Sequence, residues 1–136
     1  MKQVTRYILL LLFSAALVSC GGLQFSQQSL DQTEKITNDA VALLNKSHTN
    51  YADHAAEAEN LKQQVRSIYA FEQTRKMNQA TISMWREVIE GDGNLFALLD
   101  LWKANGTLSP AMRDESVKKI QRLLNSIYDL EDHKRN

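Results

Sequence analysis

Glycine and proline, the residues that most often end helices, are confined to three short places in this chain of 136 residues. The glycines occupy positions 21, 22, 91, 93 and 106, and the single proline is Pro110. Residues 23–90 contain neither, and residues that favour helix dominate them. No stretch alternates apolar and polar side chains long enough to indicate a strand. The chain is therefore predicted to be all-α, a small helical bundle with a long N-terminal helix or helix pair.

Apolar and small residues follow a three-four spacing through the first half of the chain. They are Leu30, Thr33, Thr37, Ala40, Leu44, Ser47, Tyr51, His54, Ala58, Leu61, Val65 and Ile68. Ser29 or Asp31 is expected to cap the first helix. One helix could run from about residue 30 to residue 90, or "NKSHTNY" (45–51) could separate two helices, with Asn50 as the new N-cap. Average helix lengths favour the break.

The larger apolar side chains are concentrated after Ala58, so residues 58–136 are predicted to form the compact bundle. Residues 29–57, where alanine, threonine and serine bury little area, are expected to be a stalk or a loosely docked arm. The segment "LFALLDLWKA" (95–104) is apolar nearly all round and predicts a buried central helix, with Leu99 and Trp102 at its centre.

Local signals predict where the later helices begin and end. Asn105-Gly106 is typical of a helix C-cap, and Ser109 before Pro110 is typical of a helix start. The last helix is predicted to bury Val117, Ile120, Leu123, Leu124, Ile127 and Leu130. The polar segment "EQTRK" (72–76) is expected to be an exposed waist or kink, and the tail "EDHKRN" (131–136) is expected to fray.

The first nineteen residues have the pattern of a secretory signal peptide. Lys2 and Arg6 precede the apolar run "ILLLLFSAALV" (8–18), and small residues follow it. A transmembrane anchor is the alternative, but a helix needs about 20 apolar residues to cross a bilayer, and this run stops short of that length. Residues 1–19 are therefore interpreted as a signal peptide.

The sequence Leu17-Val18-Ser19-Cys20, followed by Gly21, resembles the lipobox of bacterial lipoproteins. The resemblance implies that the Cys20 thiol carries a diacylglyceryl group, that signal peptidase II cuts before Cys20, and that the new amino group is acylated. Residues 20–28 would then be a lipidated tether and residues 29–136 the helical domain. In this family an aspartate after the cysteine retains the protein in the inner membrane. Gly21 in that place implies an outer-membrane protein that faces the periplasm.

The mature chain shows few signs of catalysis or nucleic-acid binding. It would lose Lys2 and Arg6 but keep all 16 acidic residues, so its net charge would be slightly negative, whereas nucleic-acid binding requires a basic face. No catalytic residue, metal site or cofactor is expected beyond the acyl anchor on Cys20.

Two groups of polar residues have some features of metal sites. His48 and His54 are six residues apart, which places them on different sides of a helix, and with His133 they are interpreted as solvated. Glu90, Asp92 and Asn94 imitate the start of a calcium loop, but Leu95 and Leu101 occupy the positions of its glycine and its last ligand.

Together these observations predict a non-catalytic envelope lipoprotein. It would be held in the bilayer through Cys20 and act as a protein-binding or scaffold module for an envelope partner. An alternative is a lipoprotein that neutralises a toxin or excludes a mating plasmid. A structural spacer similar to the murein lipoprotein is the third alternative. It is ranked last because Thr, Ser and His interrupt the apolar positions of the three-four spacing, which a coiled coil would need.

Overall fold

The computed structural model describes residue 22 and residues 24–136, and these residues form α-helices and turns without a strand. The helices within this part of the chain are α1 (Gln27–Asn45), α2 (Ala55–Thr74), α3 (Gln79–Glu90), α4 (Leu95–Asn105) and α5 (Pro110–His133), and a 3-10 turn covers Tyr51–His54. The all-α small bundle predicted from the sequence is confirmed. The signal peptide (1–19) and Cys20 lie outside the described residues.

The helices form an antiparallel bundle of four segments that run alternately up and down. α1 runs up, α2 runs down, α3 and α4 together form the third segment and run up, and α5 runs down. At the lower end the start of α1 meets the ends of α2 and α5, as the bonds from the Ser29 hydroxyl to Glu72 and from the Ser26 amide to Glu131 show. At the upper end the Leu108 amide donates to the Ser47 carbonyl at 2.7 Å.

α1 belongs to the core, which corrects the expectation that residues 29–57 form a stalk or a loosely docked arm. Ile36, Ala40 and Leu44 are buried in one cluster with the large side chains of the other helices. The buried Thr33 hydroxyl donates to the Ser29 carbonyl at 2.7 Å, so it leaves no unsatisfied donor. Small side chains on α1 thus permit close packing against α2 and α5, an effect that a count of apolar area missed.

The first half of the chain contains two separate helices, so the two-helix alternative is confirmed. α1 ends at Asn45, and the Asn50 side chain caps the following 3-10 turn by accepting from the Ala52 amide at 3.1 Å. The start of α1 was predicted too late. Its N-cap is Ser26, whose hydroxyl accepts from the Ser29 amide, whereas Ser29 itself points into the core.

The later helices follow most of the predicted signals. Leu99 and Trp102 of α4 are fully buried, and α4 ends before Gly106, which has a φ of +77°. Ser109 caps α5 by accepting from the Met112 amide at 3.3 Å, with Pro110 in the first turn. α4 is nevertheless not covered on every side, because its Leu101 side faces solvent and that residue is 38% exposed.

Two polar segments that were expected to be exposed or frayed are ordered and partly buried. Residues 72–76 do contain a helix end, at Thr74, but Glu72 is fully buried. α5 continues to His133, and Glu131 is also fully buried. The exposed waist is confirmed for Gln73, Thr74 and Lys76, where the helix ends, but it is wrong for Glu72. The frayed tail is wrong for residues 131–133, because Glu131 bonds to Arg75 and Lys134 bonds to Asn78 inside the lower end.

Candidate functional site

A cluster of charged and polar side chains closes the lower end of the bundle. We call it the lower-end network, and its members are Ser29, Glu72, Arg75, Asn78, Thr81, Glu131 and Lys134. The carboxylates of Glu72 and Glu131 have no exposed area, and the side chains of Arg75 and Lys134 are 9% and 4% exposed. Two carboxylates therefore face two cations in a nearly dry site.

Arg75 and Lys134 bridge the helices through this network. The Arg75 guanidinium donates to Glu72 Oε2 and to Glu131 Oε1, each at 2.7 Å, and so joins the end of α2 to the end of α5. Lys134 Nζ donates to Glu131 Oε2 at 2.6 Å and to Asn78 Oδ1 at 2.8 Å. Bonds of this kind between ionised partners are the strong ones, and several in one place restrict the helices to one register.

The network satisfies the groups that it buries. Glu72 also accepts bonds from the Ser29 hydroxyl and the Asn78 amide. Burial alone would raise the pKa of Glu131, but bonds from Arg75, Lys134 and the Ser26 amide hold that pKa below its usual value. Burial would likewise lower the pKa of Arg75, and its bonds to Glu131 and Glu72 raise it instead. Glu131 and Arg75 are thus charged at neutral pH.

The same network holds the segment that precedes α1. The Ser26 amide donates to Glu131 Oε1 at 2.7 Å, and the Arg75 guanidinium donates to the Gln24 carbonyl. The Arg135 guanidinium lies 5.0 Å from the centre of the Phe25 ring. The chain is therefore attached to the bundle from Gln24 onward, so residues 24–28 of the expected tether over residues 20–28 are part of the bundle.

Sequence reasoning missed the network although a signal for it exists. Glu72 stands four residues after Ile68, and Glu131 stands four residues after Ile127, so both carboxylates continue the buried stripe of their helix. A charged residue in the register of a core stripe, at the last turn of a helix, indicates a buried ion pair with a partner from another element.

A second candidate site is a polar groove between α1 and α2. We call it the α1–α2 groove. Its upper part has a volume of about 430 Å³ and its lower part about 420 Å³. The residues that line the two parts are Gln32, Lys35, Ile36, Asp39, Ala42, Leu43, Ala56, Glu57, Asn60, Leu61, Gln63, Gln64 and Ser67.

Gln64 lies where the two parts of the groove meet and links its walls. Its amide donates to Asp39 Oδ2 at 3.1 Å, and its carbonyl accepts from Lys35 Nζ at 3.0 Å. The walls carry amides on both sides of this bridge, and the upper part also carries the small side chains of Ala42 and Ala56. The groove therefore offers hydrogen-bond donors and acceptors on a surface with little steric obstruction.

A third cluster, at the upper end, has the order of groups that nucleophilic catalysis uses. Thr49 Oγ1 lies 2.9 Å from His54 Nε2, and His54 Nδ1 lies 3.1 Å from Glu57 Oε1. The Thr49 hydroxyl also lies 2.6 Å from the Lys46 carbonyl, which it donates to. His54 packs against Trp102, whose indole N–H donates to the Thr49 carbonyl at 3.0 Å. These contacts fold the connection from α1 to α2 over Trp102.

The structure separates the other residues considered as metal sites. His54 is half-buried in the cluster above and not solvated, whereas His48 and His133 are exposed and each bonds a carbonyl of its own segment. The Asn94 amide donates to Glu87, so it forms part of the turn between α3 and α4.

Among residue 22 and residues 24–136, no group of three His, Cys, Asp or Glu side chains is placed to hold a metal ion. Within the same residues, no helix has both the length and the apolar character needed to cross a membrane. Comparisons with known proteins found no protein-family model, no curated protein and no solved structure that matches this chain.

Proposed function

We propose that this chain is a non-catalytic lipoprotein of the bacterial envelope that binds a protein partner. The observation that carries the proposal is the place of Cys20, at the end of an apolar run and within a sequence that resembles a lipobox. Each acyl methylene contributes about 0.8 kcal/mol to membrane binding, so two or three chains on Cys20 would hold the protein firmly. Gly21 after the cysteine favours the outer membrane, with the bundle in the periplasm.

The α1–α2 groove is the surface that best supports partner binding. Its exposed amides on Asn60 and Gln63 can donate to and accept from a peptide backbone or polar side chains. Ala42 and Ala56 leave room for the side chains of a partner. Polar groups that define direction, beside partly apolar walls, are typical of protein-binding surfaces.

The anchor is tested by Cys20→Ser in cells fed with labelled palmitate. The wild-type chain is expected to incorporate the label, to lose its first nineteen residues and to float with membranes. Cys20→Ser is expected to remain uncut and unlabelled, because the acceptor thiol is absent. Equal labelling of the variant and the wild type would contradict the proposed anchor.

The groove is tested by placing a photo-crosslinking amino acid at Ala42, with Ala111 as the matched control. Both alanines are exposed on a helix, but Ala111 lies in the first turn of α5, away from the groove. We expect one defined adduct from position 42 and none from position 111. Ala56→Trp, which fills the groove, should abolish that adduct. Identical adducts from both positions, or adducts that persist in Ala56→Trp, would refute binding in the groove.

A further inference from the structure

The lower end of the bundle carries an exposed apolar residue in an unfavourable backbone conformation. Met77 lies in the turn between α2 and α3, has a φ of +54° and is 66% exposed. Positive φ is disfavoured for residues other than glycine, and an exposed methionine gains nothing from burial in the described bundle.

The lower-end network holds this turn in place. Asn78, the next residue, donates to the Glu72 carbonyl at 3.2 Å and accepts from Lys134 Nζ at 2.8 Å. Arg75 precedes the turn and is fixed between two carboxylates. Arg75 and Asn78, which flank the turn, are thus anchored in the interior, and the Met77 side chain is directed outward by a framework that spans three helices.

Met77 shares this end of the bundle with cations and an aromatic ring. Lys76 is exposed beside it, and Arg135, which also pairs with Asp132 at 2.6 Å, lies over the half-buried ring of Phe25. Apolar tips combined with Lys, Arg and aromatic side chains are the composition of surfaces that rest in the headgroup region of a bilayer.

The proposed acyl anchor would hold this end close to the membrane. Three residues, Gly21, Gly22 and Leu23, separate Cys20 from Gln24, which is fixed to Arg75. An extended chain spans about 3.3–3.6 Å per residue, so the Cα atoms of Cys20 and Gln24 can be separated by at most about 14 Å. A bundle tied this closely has a high effective concentration of lipid at its lower end, so even a weak contact would be occupied.

We propose that the lower end of the bundle, through Met77, Phe25, Lys76 and Arg135, contacts the bilayer surface. Met77 enters the headgroup region, and the two cations lie at the level of the lipid phosphates. The bundle then stands upright on the membrane, with its upper end directed away. This inference rests on the proposed acyl anchor at Cys20.

The test uses the full acylated protein in vesicles of phosphatidylethanolamine and phosphatidylglycerol. Met77→Cys and Met112→Cys are each labelled with an environment-sensitive fluorophore, since acylation blocks Cys20. Met112 is a matched control, because it is also an exposed methionine, at 41%, but lies in the first turn of α5 at the upper end. We expect blue-shifted emission, quenched by spin-labelled lipids, at position 77 and water-like, unquenched emission at position 112.

A measurement without a fluorophore guards against insertion of the dye itself. Hydrogen exchange of residues 75–79 in vesicles should be slower in the wild type than in Met77→Ser, while residues 106–112 should exchange equally in both. Water-like emission from position 77, or equal exchange in the two proteins, overturns the inference while leaving the anchor intact. Protection of residues 75–79 in native envelope membranes but not in the vesicles overturns it in favour of a protein partner. Failure to float, with Cys20 open to thiol reagents, overturns the proposed function and this inference with it.

Discussion

The sharpest consequence of the lower-end network is the effect of removing one of its charges. Glu131→Gln preserves the shape of a fully buried side chain but removes the negative charge that Arg75, Lys134 and the Ser26 amide share. Two cations would then face the single carboxylate of Glu72 in a dry site. Removal of one partner from a buried ion pair typically lowers the free energy of unfolding by about 3–5 kcal/mol. The amide oxygen of Gln can still accept a hydrogen bond, so the expected loss is about 3 kcal/mol.

This loss is a large part of the stability of a small domain, which is about 5–15 kcal/mol in total. For a bundle of this size it corresponds to a fall in Tm of roughly 10–15 °C. The assay is urea and thermal unfolding of the full chain in detergent micelles, followed by circular dichroism at the helical band. Glu59→Gln on α2 is the control, because that carboxylate is 59% exposed and should change the free energy by less than about 0.5 kcal/mol.

A second variant separates the charges from the packing. Replacement of Glu72, Arg75, Glu131 and Lys134 together by methionine or leucine removes every buried charge of the network at once. Because such replacements are often neutral or stabilising, the fourfold variant should unfold at a higher urea concentration than Glu131→Gln. If Glu131→Gln is as stable as the wild type, or if the fourfold variant is the less stable of the two, the reasoning about paired buried charges is refuted.

Three further predictions follow from the packing and the pKa directions. The pKa of Glu131 is lowered in the folded protein, so its contribution to stability is complete above the unfolded pKa of about 4.3 and is lost as the pH falls through the folded value. The free energy of unfolding should therefore decrease less in Glu131→Gln than in the wild type as the pH falls below about 4. Leu44→Ala in α1 should lower the free energy of unfolding by about 2–5 kcal/mol, and Leu101→Ala should lower it by much less, because Leu44 is fully buried and Leu101 is 38% exposed. Equal effects of the two substitutions would show that α1 is not part of the core. Gly106→Ala should destabilise by about 1 kcal/mol, since φ is +77° there, whereas Gly22→Ala, with open space around it, should be neutral in the same urea titration.

The spacing of apolar residues and the local signals at helix ends predicted the helices well. The positions Leu30, Thr33, Thr37, Ala40 and Leu44 were identified from spacing alone, and each is buried on α1. Helix ends governed by local chemistry were also predictable, because Ser109 before Pro110 and Asn105 before Gly106 need no distant partner to act. These features depend on contacts within a few residues of the chain.

The sequence-based expectation failed where stability depends on distant partners. Glu72 and Arg75 looked like solvated residues because their charge was read without Glu131, which is far away in the sequence and adjacent in space. Composition likewise undervalued α1, since the fit of Thr33 and Ala40 between neighbouring helices depends on shape and not on apolar area. A single sequence does not reveal which charged residues of two helices will meet.

The position of the charges explains why a network serves better here than leucines would. Apolar side chains at these positions could pack the helices together equally well, but they would not specify where the segment before α1 attaches. The carbonyl of Gln24 and the amide of Ser26 are polar, and each finds a charged partner in the network, on Arg75 and on Glu131. That pairing fixes one residue of the segment against each helix end and sets how much chain remains before Cys20. In the proposed orientation, this length determines whether Met77 reaches the bilayer. Insertion of two glycines after Gly22 should therefore leave the unfolding transition unchanged but weaken the contact of Met77 with lipid. If the network served stability alone, the insertion would not affect the lipid contact. If lipid affinity alone set the orientation, the length of the segment would not matter either.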